Sequence, residues 1–219
     1  MAGVLRSALL AVPHGFSEAG GQAEVAILPG ASVVRLRQTH SAAAVVIGDN
    51  LPAPETEGDA LVTTRRGIVL AIVTADCAPV LLADPAAGVV AAVHAGWRGA
   101  HGGVIEVAVD AMTSLGAERA AIQAAIGPTI AQASYEVDAA FRDVIGDEAA
   151  AFLAPGRPGH AQFDLPGYVA MRLRKAGVGV IDDLALDTYE GIGRFHSYRR
   201  ATHRGEATGE RQTSAIALP

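Results

Sequence analysis

Two histidines and the single cysteine of this chain are the residue types best suited to holding a transition metal. His40 ends the run Arg35-Leu36-Arg37-Gln38-Thr39-His40, Cys77 lies in Thr74-Ala75-Asp76-Cys77-Ala78-Pro79, and His94 opens His94-Ala95-Gly96-Trp97-Arg98-Gly99. Imidazole nitrogen and thiolate sulfur suit a borderline-soft ion such as Zn²⁺, and three protein ligands leave a fourth tetrahedral position for water or substrate. An open position points to catalysis rather than scaffolding. By residue type alone, plainer readings stand beside this one: a buried cysteine often packs as a small hydrophobe, and an isolated histidine is often a satisfied core or surface group. The same residues also allow Cys77 to act as a nucleophile with His94 as its base.

Further groups could assist. Asp59 and Asp76 are carboxylates able either to move protons or to orient a histidine ligand. Gly96-Trp97-Arg98-Gly99-Ala100-His101-Gly102-Gly103 joins an expected strand to an expected helix. Its glycines allow close backbone approach, a helix start favours an anion, and the Arg98 guanidinium can grip an oxyanion bidentately. The alternative is a tight turn that merely packs the helix on the sheet. The stretch lacks the Gly-Lys-Ser/Thr ending that a nucleoside triphosphate loop requires. A second basic group, Arg194, Arg199, Arg200 and Arg204, reads as a solvated surface unless it is turned into a cleft, where it would suit an anionic group on a small substrate.

The elements that must position these residues are legible in the apolar pattern. Strands are expected over Val33–Arg37, Ala43–Ile47, Ala60–Thr64, Ile68–Thr74, Val80–Ala83 and Val89–His94. Asp84-Pro85-Ala86-Ala87-Gly88 reads as a hairpin connection, which folds His94 back to the end of the sheet where Cys77 lies. Val104, Ala108, Ala111, Met112 and Leu115 share one face of a helix that stops at Gly116. A strand over Ala121–Ile126, helices over Val137–Ile145 and Leu165–Ala176, a loop between Ala154 and Gly159, and strands over Val178–Leu186 and Ser214–Leu218 complete the expectation. Strands and helices interleave irregularly, so the class is α+β in a single domain over 1–219.

Composition narrows the function classes. With 219 residues the chain can bury one sizeable core, and its aromatic content of 5% means that the core is built from small aliphatic side chains. A net charge of -6 argues against general nucleic-acid binding. One cysteine excludes an intramolecular disulfide framework and suits a cytoplasmic location. The apolar run Ala8–Val12 is too brief for a secretory signal, and the apolar stretch Ile68–Leu82 is interrupted by Asp76 and Pro79, so no membrane span is expected.

Six blocks then occur in order: Gln38-Thr39-His40; Glu57-Gly58-Asp59-Ala60; Ala75-Asp76-Cys77-Ala78-Pro79; His94-Ala95-Gly96-Trp97-Arg98-Gly99; Ile126-Gly127-Pro128 with Tyr135-Glu136-Val137; and Ser197-Tyr198-Arg199-Arg200. Together they resemble the signature blocks of the laccase-domain family, first named for a multicopper polyphenol oxidase activity and associated with purine nucleoside phosphorylase, methylthioadenosine phosphorylase and adenosine deaminase activities. The resemblance runs from His14-Gly15-Phe16 to the end of the chain. It implies mixed β-sheets packed together and flanked by helices, and it implies His40, Cys77 and His94 as the metal ligands, with zinc preferred and copper possible. Cys77, Asp76 and Arg98 are then expected to serve catalysis. Gln38, Asp59, Trp97, Arg98 and Gly99 are expected to contact the substrates, a purine nucleoside and phosphate. Three departures from the family pattern stand out. The segment from Phe16 to Gln38 is short and lacks an Asn-Arg pair, Ser41 replaces a glycine after the ligand histidine, and Asp187-Thr188 replaces a Cys-Thr.

The resemblance leaves two reactions open. In deamination an activated water attacks C6 of adenine while Asp76 or Asp59 shuttles protons. In phosphorolysis phosphate is held against C1′ of the ribose, where Arg98 and the glycine-rich stretch would contribute. Three further readings stay beside these: a copper-dependent polyphenol oxidase, which seven histidines without a His-x-His pair support weakly, a cysteine hydrolase, and a metal-binding protein without turnover.

Overall fold

The computed structural model describes residues 3–219. In chain order the elements are β1 (Val4–Leu5), β2 (His14–Ser17), α1 (Ala23–Ile27), β3 (Ser32–Val34), β4 (Ala44–Val46), β5 (Ala60–Thr63), β6 (Ile68–Thr74), β7 (Ala78–Asp84) and β8 (Val89–Ala95). Then come α2 (Trp97–Gly102), α3 (Val104–Ser114), β9 (Gln123–Ile126), β10 (Glu136–Asp138), α4 (Phe141–Ile145) and α5 (Asp147–Ala150). The chain continues through β11 (Leu153–Pro155), β12 (His160–Phe163), α6 (Leu165–Lys175), β13 (Val180–Asp183), α7 (Tyr198–Arg204) and β14 (Gln212–Ala217).

The strands form a five-stranded sheet in the order β1-β2-β14-β6-β3, a six-stranded sheet in the order β13-β9-β7-β8-β5-β4, and a three-stranded sheet in the order β10-β12-β11. Alternation explains how the two larger sheets stack. Along β7, Val80 and Leu82 join the core under α3 and α6, while Leu81 and Ala83 join a second core shared with Leu70 and Ile72 of β6. Both faces of β7 and β8 are therefore buried, which is why these strands are continuous apolar runs. A third cluster, Ala23 with Val69, Ala71, Ala215 and Ala217, seals α1 onto the outer face of the five-stranded sheet. The layers run helix, sheet, sheet, helix, each fully buried Leu or Ile adding roughly 1.5–3 kcal/mol. This is the α+β class with packed mixed sheets that the sequence implies.

Besides short strands and the helix α7, which no apolar pattern announced, the expected elements differ from the observed ones in these places. A helix expected over Val137–Ile145 is instead the strand β10 followed by the helix α4. Asp138 accepts the Phe141 N–H through Oδ1 (3.0 Å) and so starts the helix after the strand. The glycine-rich stretch is not an open turn but the short helix α2, separated from α3 by Gly103 at φ 97°. The short segment after Phe16 carries the unexpected helix α1, and the strand expected over Val33–Arg37 is the shorter edge strand β3. Among the described residues no helix is long and apolar enough to cross a membrane.

Candidate metal centre

The hairpin register assembles the site. β7 and β8 pair antiparallel with Ala78 opposite Ala95 and Pro79 opposite His94, so Cys77 lies just before the start of β7, level with the start of the Gly96 turn. β5 pairs with the other edge of β8, with Ala60 opposite Val93. His40 arrives from the loop before β4, where its backbone adopts φ 60°. The ligand atoms of His40, Cys77 and His94 all lie within 4.8 Å of one another, the only such group of His, Cys, Asp or Glu among the described residues that could hold a metal ion. His40 Nε2 stands 3.8 Å from Cys77 Sγ. A tetrahedral Zn²⁺ with ordinary bond lengths needs nitrogen–sulfur separations of roughly 3.6 Å, so the donor set and its spacing fit such an ion. The two imidazoles meet edge to face with centroids 4.8 Å apart.

Asp59 holds this arrangement from behind. It is fully buried. Its Oδ1 faces His94 Nδ1 at 2.8 Å and accepts the His40 backbone N–H at 3.0 Å. Its Oδ2 accepts the Ser41 N–H (2.6 Å), the Ser41 hydroxyl (2.7 Å) and the Thr39 N–H (3.2 Å). With Nδ1 so engaged, the Nε2 lone pair of a neutral His94 is free for an ion. Ser41, the departure from glycine, thus adds a hydroxyl donor to the carboxylate. Asp59 has no exposure and lies behind the ligands rather than in the cavity wall, the placement that suits the orienting role expected for it as an alternative to substrate contact.

Burial and neighbours oppose each other in setting the charges. Burial pushes the Cys77 thiol up, yet hydrogen bonds from His40 and His94 and their charge outweigh it, bringing Cys77 down to about 7. Burial likewise pushes His94 down, but Asp59 and Cys77 hold it up at about 9. Burial raises Asp59 as well, and the His94 and Ser41 contacts overcome it, holding this carboxyl well below the usual range. The metal-free protein at neutral pH therefore sets an imidazolium beside a partly formed thiolate.

The three ligands lie in the wall of a cavity of about 620 Å³, a size that suits a small-molecule ligand. Gln38, Trp97 and Arg98 line it as well. The Gln38 amide is tied to the Val73 backbone at both ends (2.8 Å each), so it clamps the wall. Trp97 packs edge to face on Phe141, and the exposed Arg98 guanidinium lies 4.5 Å from the Trp97 ring centroid. Gly99 lies outside the wall, packed so that a Cβ there would meet the Ser41 carbonyl at 3.0 Å.

Asp76 lines the cavity at φ 82°. Its Oδ1 accepts the Thr188 hydroxyl (2.6 Å) and its Oδ2 the Arg199 N–H (2.7 Å), so it does not orient a histidine. Thr188 is buried, and Asp187, where a cysteine is common, accepts the Ser134 hydroxyl and the Ala131 and Tyr189 N–H groups.

The second basic group separates. Arg194 pairs with Glu18 at 2.6 Å, Arg200 donates to the carbonyls of Thr188, Tyr189 and Phe195, and Arg204 approaches Glu206. Only Arg199 of the four lines the cavity. Tyr135, Tyr198, Thr74 and Arg211 also line it and were not expected there. The first two stand in the quoted blocks, which could have flagged them, while Thr74 and Arg211 carry no motif signal.

Comparison with known proteins now bears on this geometry. The model of the family described as multi-copper polyphenol oxidoreductase laccase matches residues 21–219. A Rickettsia conorii protein named purine nucleoside phosphorylase is 36% identical over 191 residues, covering 85% of this chain and 78% of its own. A Deinococcus radiodurans protein of the same name is 42% identical over 193 residues, covering 84% of this chain and 70% of its own. The crystal structure of Neisseria meningitidis protein NMB0706 superposes with a TM-score of 0.84 at 27% identity, covering 99% of this chain and 98% of that one.

Proposed function

Because this chain belongs to the multi-copper polyphenol oxidoreductase laccase family, whose curated relatives carry the name purine nucleoside phosphorylase, we propose that it is a zinc-dependent purine nucleoside phosphorylase with adenosine deaminase and methylthioadenosine phosphorylase activity. One observation carries the reading: three metal-suited ligand atoms within 4.8 Å of one another in the wall of a cavity of nucleoside size. His40, Cys77 and His94 would hold the ion. A Zn²⁺ held there would supply Lewis acidity and a fixed positive charge.

The chain's own residues do the positioning. Asp59 fixes the His94 ring and the His40 backbone, so two ligands share one anchor. Trp97 and Tyr135 offer aromatic surface to a purine within the cavity, and Arg98 offers a cation at its exposed side. In phosphorolysis the glycosidic C1′–N9 bond breaks with its electron pair going to the purine, and a phosphate oxygen forms the new bond to C1′. The proton of HPO4²⁻ ends on the purine, giving free base and ribose 1-phosphate. In deamination water replaces the 6-amino group and ammonia leaves. Asp76 is the carboxylate in the cavity wall that can exchange a proton there.

Chromatography of products from the metal-replete protein and adenosine, with and without phosphate, tests this. Adenine formed only with phosphate supports phosphorolysis, and inosine formed without it supports deamination. Neither product would leave a metal-binding protein without turnover. A copper cluster is disfavoured because a multicopper oxidase needs several centres and the described residues offer one group of ligands. Stoichiometric copper with robust oxygen uptake on a phenol would reverse that ranking. The contact of Cys77 with His40, and its thiol lowered to about 7, favour a cysteine nucleophile as the second reading. That reading requires alkylation to abolish activity while chelators leave it intact.

A further inference from the structure

Three arginines line the cavity, and the backbone brings two of them to the same strand end. Gln212 of β14 pairs with Thr74 of β6, which sets Arg211 beside the last residues of β6. Two residues past Thr74, Asp76 accepts the Arg199 backbone N–H, which sets the start of α7 at that same end. The Arg199 guanidinium is partly fixed: it donates to the Glu136 carbonyl at 2.8 Å and lies 5.3 Å from the Tyr135 ring centroid. Arg211 donates to the carbonyls of Thr208 and Glu210. Among the described residues neither guanidinium has a carboxylate partner, whereas seven other arginines do. Both carry donors left for an anion.

Thr74 adds an independent observation. It is 1% exposed, it contributes to the cavity wall, and its hydroxyl finds no hydrogen-bond partner among the described residues. A buried hydroxyl without a partner is costly, and its persistence in a cavity wall points to a partner on the ligand. The glycine-rich stretch is a poorer anion holder than its composition suggests. It is the six-residue helix α2, and the Ala100 N–H already donates to the Gly96 carbonyl.

We propose that the C-terminal end of β6 is a phosphate subsite, in which Arg199 and Arg211 grip the oxyanion and the Thr74 hydroxyl donates to it. This assignment rests on the phosphorylase reading and names the residues that hold its inorganic co-substrate. Asp76 lies close by, with each carboxylate oxygen already accepting a hydrogen bond.

The test is calorimetric titration of inorganic phosphate into the metal-replete full chain and its Arg199→Gln, Arg199→Lys and Thr74→Val variants, with adenosine 5′-monophosphate titrated in parallel. Charge-assisted hydrogen bonds of this kind are worth on the order of tenfold or more in affinity. Arg199→Gln is expected to weaken phosphate binding by at least that factor, and Arg199→Lys by less, because charge remains without the planar fork. Thr74→Val should weaken it about tenfold while melting no lower than the parent, since the lost hydroxyl has no partner in the protein. Steady-state KM for phosphate should rise with little change in KM for adenosine. Unchanged phosphate affinity in both Arg199→Gln and Thr74→Val overturns the subsite, as does an equal loss of phosphate and nucleoside affinity. So does dependence on these residues for the monophosphate ester alone. Phosphate binding that depends on Arg199 without any release of adenine by the parent would uphold the subsite and sink the phosphorylase reading. Adenine release with an unaltered phosphate KM in the variants would do the reverse.

Discussion

Replacing Asp59 by Asn tests whether one buried carboxylate sets the metal site. Oδ2 receives three donors within 3.2 Å, two from Ser41 and one from Thr39, and Oδ1 receives two, from His94 and His40. An amide has a single acceptor oxygen, and the more crowded side should keep it. The NH2 then faces His94 Nδ1, which must turn from donor to acceptor, so the neutral ring carries its proton on Nε2, the nitrogen needed for an ion. Orienting partners of this kind typically matter by 10- to 100-fold in metal affinity, about 1.4–2.8 kcal/mol. Losing the charged hydrogen bonds should cost the metal-free fold about 1.5–3 kcal/mol at neutral pH. The pH dependence carries a sign as well. His94 is raised to about 9, so its contribution is complete below its unfolded value near 6.5 and is lost as pH rises through about 9. Asp59 is depressed, so its contribution is present above its unfolded value near 3.8 and is lost as pH falls toward its folded one. Cys77, lowered to about 7 from an ordinary value near 9, adds stability as pH rises from about 7 to 9 and opposes the His94 loss there. The His94 loss is therefore read in the metal-free Cys77→Ala background, where adding the Asn change should flatten the fall above about pH 6.5. Urea melts across pH 5 to 10, with competition against a chromophoric zinc chelator, measure both effects. Zinc affinity within threefold of the parent, together with an unchanged pH profile, would refute this account of Asp59.

Three other outcomes follow from the same geometry. Gly96→Ala keeps an allowed backbone (φ -69°, ψ 165°), but its Cβ would stand 3.0 Å from both Cys77 Sγ and His40 Cδ2; zinc affinity should fall at least about tenfold with far-ultraviolet circular dichroism unchanged, and parental affinity would contradict the site. Cys77→Ala should lose both bound metal and nucleoside turnover while remaining folded, as measured by metal analysis and product chromatography; retention of either counts against the ligand assignment. Zinc added at pH 7.5 should expel about one proton, mainly from His94, because the imidazolium must deprotonate while Cys77 is already largely thiolate; a pH-indicator titration showing none would mean that His94 is not a ligand.

The long buried strands and the two longer helices were readable because their apolar residues repeat at a clear period. Ile68–Thr74 reads in the sequence with the bounds that β6 has, and α6 with bounds one residue apart. The misread elements are those whose pattern is set by partners elsewhere in the chain. Val137, Phe141 and Ile145 fall at a four-residue spacing that imitates a helix, yet Val137 pairs with Ala161 in β10–β12. Helix α7 has no buried residue and so no apolar stripe; its signal was Ser197, whose side chain accepts the Arg200 N–H. At the site, residue type revealed the ligands because few side chains bind such an ion. The work of Thr74 and Arg211 was hidden, since a threonine without a partner and an arginine turned into a cavity look in sequence like any others.

The ligand triad is a product of sheet register more than of local loop structure. His94 donates its N–H to the Asp59 carbonyl at 2.7 Å while its ring faces the Asp59 carboxylate at 2.8 Å, so backbone and side chain of one residue lock the other. That double contact exists only when Ala60 lies opposite Val93; a slip of one residue would turn Asp59 to the opposite face of the sheet. The same carboxylate accepts the His40 N–H, where the φ of 60° is unfavourable for a residue with a Cβ and is held by these contacts. Cys77 follows from the register of β7 on β8. The site therefore inherits its accuracy from the Val-, Ala- and Leu-rich strands beneath it, and a core substitution that loosened β5 against β8 would reach the metal ligands without touching any of them.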